Sequence, residues 1–559
     1  MDELLRVDLS QGEVRREKCE YPPLVAGRAL VDWELARLSP AQFHPLSGKN
    51  LLILSPGYLA GTAMPTASRL SVGGKSPLTG GIKEANVGGT LGGRLARLGL
   101  RGIVIQGQAL DRKWRILRIS GSQAEILPAD DLASLPNYEV ASRLRERFGG
   151  KVSLASIGPA GEMTMAAATV AVTDTEGRPC RHAARGGLGA VMGSKFLKAV
   201  VIEDSGAPVR KGQDHEAFMV AVRDTVERLQ KSPVTKLFHA QGTPGLVDID
   251  NVRGSFPTNN HRVGAFIDFH KINGDAIINL QKDRGGMMGH ACMPGCVVAC
   301  SSIYHGPDGK YLTGALEYET LSMLGSNLDI SDLDVIAALD FKCDNYGLDT
   351  IEIGVTLGIL SDVGLFRLGD GKQALELLDE IGKGTVLGRV LGQGAAVTAA
   401  VFGIERVPVV KGQGIPAHSA RSMKGLGVTY AVSPQGADHT AGFVTEELLS
   451  PSGQGSRSRE AQIATAVLDA SGLCFFTFLT GRWKVFAALV NSFYGSSYSP
   501  ADLEEFGKEM LRKERDFNRA IGFGPGVDRL PEFMKCEPLP PTNAVFDVPD
   551  ADLDEVLNF

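Results

Sequence analysis

Three cysteines recur at C-x3-C-x3-C in His290-Ala291-Cys292-Met293-Pro294-Gly295-Cys296-Val297-Val298-Ala299-Cys300, and a fourth, Cys474, lies far downstream. If the four share one centre, the fold must bring the middle of the chain against its C-terminal part. Iron–sulfur clusters are held by cysteine thiolates, commonly three close in sequence and one distant. Pro294-Gly295 would break a helix between the first two cysteines and let the backbone curl round a cluster. Three other readings fit the same residues. A helix with small buried thiols along one face needs no metal, because free cysteine is often simply core. A radical S-adenosylmethionine site resembles C-x3-C-x2-C, one residue shorter, and usually sits early in a β/α barrel. Zinc would want a second close C-x2-C or a histidine pair, which is missing. With 8 cysteines in 559 residues, a disulfide scaffold is excluded and a reducing cytoplasm is the simplest location.

The rest of the composition is that of an ordinary globular chain, except for 68 glycines, well above the usual share of about 7%. So much glycine implies many tight turns and places of close backbone approach. A formal charge of −6 with no dense basic stripe argues against nucleic-acid binding. The sequence has no apolar run long enough for a membrane span, and MDELLRVDLSQGEVRRE lacks the apolar stretch of a secretory signal.

Short strand patterns dominate the first part: Leu5 to Leu9 turning into Glu13 to Arg15, then Asn50 to Leu54, Gly102 to Gly107, Trp114 to Ile119 and Ala199 to Glu203. Tyr138 to Phe148 is the clearest helix there. Beyond Lys211 the spacing turns helical, over Asp214 to Lys231, Ser331 to Tyr346, Gln373 to Gly382, Ser458 to Ala470 and Ser499 to Phe517. Ser331, Ser458 and Ser499 sit where an N-cap would be useful. The predicted class is α+β: a β-rich domain over residues 1–205, then two mainly helical domains over 206–405 and 406–559. Short tandem repeats of the solenoid kind are absent.

One short motif does recur. Asp344-Asn345-Tyr346-Gly347-Leu348-Asp349 and Asp469-Ala470-Ser471-Gly472-Leu473-Cys474 share D-x-x-G-L-[D/C], each closing a helical pattern. Taken singly, each is a helix end with an αL glycine cap and a turn aspartate. As a pair, one ending in the candidate fourth cluster ligand, they suggest two related sites flanking one cofactor. Aspartates accept hydrogen bonds from the N–H groups of a heterocycle, which fits a pterin. Two glycine-rich segments, Ser68 to Gly89 and Ala183 to Lys195, could cradle phosphates with backbone N–H groups, or be plain turns. Neither has the Walker spacing, nor a clean Rossmann arrangement.

On these residues the chain resembles the tungsten-containing aldehyde:ferredoxin oxidoreductases, over essentially its full length. The resemblance implies a β-rich base for a tungsten (or molybdenum) bis-pterin cofactor, with helical domains covering it. Asp344, Gly347, Leu348 and Asp349 would serve one pterin, and Asp469, Gly472 and Leu473 the other. Cys292, Cys296, Cys300 and Cys474 would hold a [4Fe-4S] cluster. Many relatives space that cluster C-x2-C-x3-C, one residue shorter in the first gap. Arg69 and Arg185 would contact pterin phosphates, within loops that include Gly88, Gly89, Gly186 and Gly187. Asn86 and the Ala184 carbonyl would help hold a Mg²⁺ bridging the phosphates, an oxygen-rich site of the kind that ion prefers.

The implied reaction turns an aldehyde into its carboxylate, with electrons leaving through the cluster to ferredoxin or a partner iron–sulfur subunit. A carboxylate or imidazole beside the metal can manage the protons. The resemblance points to Glu319 and His439, with Glu317 as the rival for the first role. By themselves a glutamate before a helix is more often a cap and a lone histidine more often a structural donor. Gln435 stands where relatives often carry arginine, and His418-Ser419-Ala420-Arg421 where they often carry Tyr-Asp-Pro-Arg. A mononuclear iron held by E-x-x-H is not expected, since the helix before Asp344 lacks that motif. One alternative is a subunit that reduces an aromatic acyl-CoA ring at low potential with the same cofactor. Another is an iron–sulfur electron-transfer protein without pterin, although a bare cluster needs neither the twin motifs nor the glycine loops. Homo- or hetero-oligomerisation is left open.

Overall fold

The computed structural model describes residues 1–39, 42–204, 206–314, 316–481 and 483–559. Its N-terminal part is built from the elements β1 (Glu3–Asp8), β2 (Glu13–Lys18), α1 (Arg28–Leu35), β3 (Leu52–Pro56), β4 (Leu70–Lys75), β5 (Ile82–Val87), α2 (Leu91–Arg97) and β6 (Leu100–Gln106). It continues with β7 (Arg115–Ser120), β8 (Gln123–Pro128), α3 (Asn137–Phe148), β9 (Ser153–Ser156), α4 (Pro159–Glu162), β10 (Val170–Val172), β11 (Arg181–Ala183), α5 (Leu188–Ser194) and β12 (Leu197–Glu203). These strands make two six-stranded sheets, ordered β2-β1-β6-β3-β4-β5 and β8-β7-β12-β9-β10-β11. In the first only β1 and β6 run parallel, and in the second only β7 and β12 do. The β-rich part is thus a structural duplication: the same six-strand path is traced twice.

The two sheets share one core. Ile103 and Ile105 of β6, Leu117 and Ile119 of β7, and Val200 and Ile202 of β12 are all fully or almost fully buried in it, with Leu91, Leu95, Leu188 and Met192 from α2 and α5. Strand alternation sends the intervening residues to the opposite faces. Ala199 and Val201 pack under α3, while Ile53 and Val104 pack beneath α1 and the C-terminal helices. Covering both faces explains why these strands read as apolar runs rather than half-polar ones.

Two helical regions follow, as the α+β expectation had it. Residues from Val247 to Ala417 form a second large core that also takes in Ala160, Met165, Ala168 and Ala190 of the second repeat. The helices Lys424–Val432, Gln454–Ser471, Trp483–Tyr494 and Pro500–Ala520 pack with α1 over the first repeat. The middle of the chain therefore covers the second repeat, and the C-terminal part covers the first. None of the described helices is long and apolar enough to cross a membrane.

Local expectations need correction at several points. The Ser68–Gly81 segment is not a free loop, because β4 and β5 pair across it as a hairpin. A three-stranded sheet, Met287–His290, Ser301–His305 and Tyr311–Thr313, interrupts the helical middle. The helix Leu333–Tyr346 is capped by Asp332, whose carboxylate accepts from the N–H groups of Asp334 and Val335, rather than by Ser331. The helix expected from Ser458 begins at Gln454, and the Ser458 hydroxyl lies inside it, 2.7 Å from that of Thr429. Ser499 does cap its helix, in a reciprocal capping box with Asp502.

Candidate active site

Each D-x-x-G-L motif ends a helix on an αL glycine, Gly347 with φ +76° and Gly472 with φ +78°. Each turn is seated on one repeat of the duplicated base. The N–H of Arg69 donates to the Gly472 carbonyl at 3.1 Å, and those of Tyr58 and Leu59 donate to the Ala470 and Ser471 carbonyls. In the other repeat the N–H of Thr169 donates to the Gly347 carbonyl at 2.9 Å, and that of Asp349 donates to Ala167. Gly57, just after β3, and Gly158, just after β9, make room: a Cβ on either would fall within 2.4 Å of the opposing turn. Leu348 and Leu473 anchor the turns in two different cores.

Between the turns lies a partly open cavity of about 170 Å³, lined by residues including Arg28, Lys83, Asn86, His182, Ala184, Arg185, Asp438, His439 and Asp469. Its walls are charged. Lys83 Nζ donates to Asp438 Oδ2 at 2.9 Å. Burial pushes Asp438 up, but Lys83, Arg185 and His439 outweigh it and hold the carboxyl far below the usual carboxylate range. Arg185 lies 3.5 Å from Asp349 and donates to the Gly414 carbonyl. His182 lies 3.1 Å from Asp344. Behind Asp469, Arg28 forms a two-pronged pair with Glu514 at 2.7 and 2.9 Å and reaches Asp469 at 3.2 Å. Lys83, Asp438 and Arg28 were not singled out from the sequence, although Lys83-Glu84 inside an apolar, glycine-rich stretch is a charge signal that could have found the first.

Several buried polar atoms here meet charged partners without hydrogen-bond geometry: Arg185 Nε with Asp349 Oδ2, His182 Nε2 with Asp344, and His439 Nδ1 with Glu319 Oε1, while Arg185 Nη1 has no hydrogen-bond partner. Buried polar groups are nearly always satisfied, so loosely matched groups lining a cavity leave bonding capacity for a polar ligand. Donors and acceptors of this kind fit a pterin with its phosphates. Of the expected phosphate elements, Arg69 donates both to the Asn86 side chain and, at 3.1 Å, to its carbonyl. Gly187 caps α5, and the Gly186 carbonyl accepts from Ser76 at 2.7 Å. Gly88 and Gly89 face the cysteines instead: a Cβ on Gly88 would lie 3.3 Å from Cys292 Sγ, and the Gly89 N–H donates to the Cys292 carbonyl at 3.0 Å.

The three clustered cysteines occupy the non-helical connection between the strands Met287–His290 and Ser301–His305, which removes the helix reading of that segment. Cys474 begins just past the second turn, its N–H donating to Thr66 at 2.8 Å. All eight cysteines are free. The four side chains influence one another's charge: Cys292 and Cys296 act on each other, and Cys300 and Cys474 both feel Cys292. Cys292 is drawn down to about 6, first by the Cys296 thiol and then, against burial, by Arg181 and Arg69. Four soft donors that feel one another's charge, one of them thiolate-prone, are of the kind an iron–sulfur cluster takes.

Glu319 is the second residue of the short helix Tyr318–Met323, which Glu317 precedes as N-cap, and His439 opens the single turn His439–Ala441. Their side chains meet, with Nδ1 of His439 3.3 Å from Oε1 of Glu319. Oε2 of Glu319 accepts the Ala417 N–H at 2.9 Å. Burial lowers the His439 pKa; Glu319 and Asp438 oppose this, and His418 and Arg185 add to it, so the ring is held neutral. Glu317 turns the other way, toward Ser301, Thr243 and Arg181 on the cysteine side.

Comparisons with known proteins agree with this layout. The sequence model described as "Aldehyde ferredoxin oxidoreductase, N-terminal domain" matches residues 4–204. The one described as "Aldehyde ferredoxin oxidoreductase, domains 2 & 3" matches residues 220–558. The tungsten-containing aldehyde ferredoxin oxidoreductase of Thermococcus kodakarensis is 32% identical, over 96% of this chain and 91% of its own. That of Pyrococcus horikoshii is 33% identical, over 96% and 92%. Among solved structures, the active-site complex BamBC of benzoyl coenzyme A reductase, with 1,5-dienoyl-CoA, shares the fold at a TM-score of 0.82 and 18% identity, covering 95% of this chain and 90% of the other.

Proposed function

Because this chain belongs to the aldehyde ferredoxin oxidoreductase family, we propose that it oxidises an aldehyde to the carboxylate at a tungsten bis-pterin centre. The observation that carries the reading is the convergence of both D-x-x-G-L turns, four thiols and one charged cavity on a duplicated base. Asp344, Asp349 and Arg185 would hold one pterin, and Asp469 and Arg69 the other, with Asn86 and the Ala184 carbonyl as ligands for Mg²⁺. Cys292, Cys296, Cys300 and Cys474 would hold the [4Fe-4S] cluster. The chemistry such groups supply when bound is acceptance of an electron pair and its release as single electrons to ferredoxin or an iron–sulfur partner subunit.

The reaction RCHO + H2O → RCOO⁻ + 3 H⁺ + 2 e⁻ leaves the protein with protons to manage. His439, neutral at the cavity wall, can take one at an imidazole nitrogen, and the Glu319 carboxylate beside it stabilises the resulting cation. Lys83 and Arg185 keep Asp438 ionised and so keep the cavity polar and charged on both signs. A reducing cytoplasm suits free thiols of this kind.

The test is anaerobic purification followed by elemental analysis and assay. The reading expects iron near four per chain, tungsten near one, and viologen reduction that depends on simple aldehydes. Iron without tungsten or molybdenum would make the chain an electron-transfer protein. Reduction of an aromatic acyl-CoA with no aldehyde activity would make it a ring reductase.

A further inference from the structure

Behind Glu319 and His439 lies a second buried pair. His418 Nδ1 is 2.6 Å from Asp250 Oδ2, and both side chains are almost wholly enclosed. The His418 ring stacks on Tyr318 with centroids 4.5 Å apart and planes 20° apart, and Phe443 meets it edge-on at 5.0 Å. On its other side it faces the His439 ring, 6.1 Å away. Its backbone is unusual too, with φ +77°. A non-glycine residue held in the left-handed region is strained, so its neighbours must hold it there.

The loop that carries His418 is pinned from several sides. Tyr430 donates to the Ala417 and His418 carbonyls at 3.0 and 3.3 Å, and the Ser419 N–H donates to Ser255 at 2.8 Å. The pinned Ala417 N–H is the group that grips Glu319. One short stretch of backbone therefore fixes the carboxylate while its next side chain faces the imidazole.

We propose that His418, oriented by Asp250, is a positioning residue for the Glu319–His439 pair, holding both groups in register and setting how strongly His439 binds a proton. This rests on the proton-handling role proposed above for that pair. The charged and titratable groups facing His418 are Asp250 and Arg253 from the helix Leu246–Arg253, Tyr318 and Glu319 from the helix Tyr318–Met323, Tyr430 from the helix Lys424–Val432, and His439. Burial works against a charge on His418, but Asp250 outweighs it and Glu319 helps, so the ring stays cationic above its ordinary range. That cation repels a proton arriving on His439 and keeps the latter available as a base.

The experiment compares His418→Asn and Asp250→Asn with the parent holoenzyme. Asparagine tolerates the left-handed backbone at position 418, so the first variant keeps the loop. One readout is the titration of His439 by NMR with labelled histidine, assigned by its loss in His439→Gln. The other is the pH profile of kcat/KM for aldehyde oxidation. Both variants are expected to raise the His439 titration and the acid-side inflection of the profile by roughly one pH unit, with kcat falling more than KM rises. An unmoved His439 titration together with an unmoved inflection overturns the proposal. A shifted titration in a protein that oxidises no aldehyde leaves the proposal standing and overturns the proposed function instead.

Discussion

A Cβ on Gly57 would lie 1.9 Å from the backbone nitrogen of Gly472, closer than any real contact allows. Gly158 stands to the other turn in the same way, its Cβ 2.4 Å from the Tyr346 carbonyl oxygen. Bare backbone is therefore needed where each turn meets its repeat. Gly57→Ala and Gly158→Ala are each expected to cost about 1–3 kcal/mol of stability by urea denaturation. Gly526→Ala, with open space around it, should stay within about 0.5 kcal/mol.

Arg28 is the cation seated between Glu514 and Asp469, both sharing its buried surroundings. Removing it leaves the buried Glu514 carboxylate without its cation. Arg28→Met should lower stability by about 3–5 kcal/mol in the same measurement. A variant within error of the parent would mean that Glu514 is neutral in the folded chain.

Asp32 lies beside them, deeply buried against Glu514. Burial, then Glu514, raises its pKa well above 3.8, with Arg28 opposing. Above that value the unfolded chain releases the proton while the folded chain keeps it, so folding loses stability as the pH climbs from about 4 toward neutrality. Asp32→Asn should flatten that slope and be the more stable form at neutral pH. Melting temperatures that fall equally steeply in both proteins would remove this account.

Cys474 is the proposed cluster donor farthest in sequence from the other three cysteines. Cys474→Ser is expected to purify with clearly less than the about four iron atoms of a complete cluster. Retention of full iron, measured on anaerobic protein, would take Cys474 out of the ligand set.

Glu319→Gln keeps the shape of the side chain and removes its charge beside His439. It should lower kcat by about 10²–10⁴-fold with tungsten and iron contents unchanged. Glu317→Gln, whose carboxylate faces Ser301 and Arg181, should leave kcat within a few-fold of the parent. Reversal of that order would exchange their roles.

The candidate site's motifs were legible because their pattern is local. The D-x-x-G-L turns combine an αL glycine with a fixed aspartate, and four-residue cysteine spacing is visible without a fold. The duplication was not legible, because its repeats share strand pairing rather than side chains; Arg69 in one corresponds to Thr169 in the other. The β4–β5 hairpin was hidden by its own glycines: Gly73 is there because a Cβ would strike Val31 of α1 at 2.3 Å, a demand only tertiary packing can set. Lys83, Arg28 and Asp438 matter through partners hundreds of positions away, and no pattern along the chain announces such pairings. His418 was noted only as a departure from the usual residues at its position; its stacked, carboxylate-braced setting needed the three-dimensional arrangement.

The crossed packing of the helical regions carries a consequence for biosynthesis. The first repeat emerges early from the ribosome, yet the turn seated on it, and the last sulfur donor with it, are among the later parts to appear. A nascent chain holds one finished half-site and one gaping one. Any group held between the two turns would be enclosed only after translation has passed Cys474.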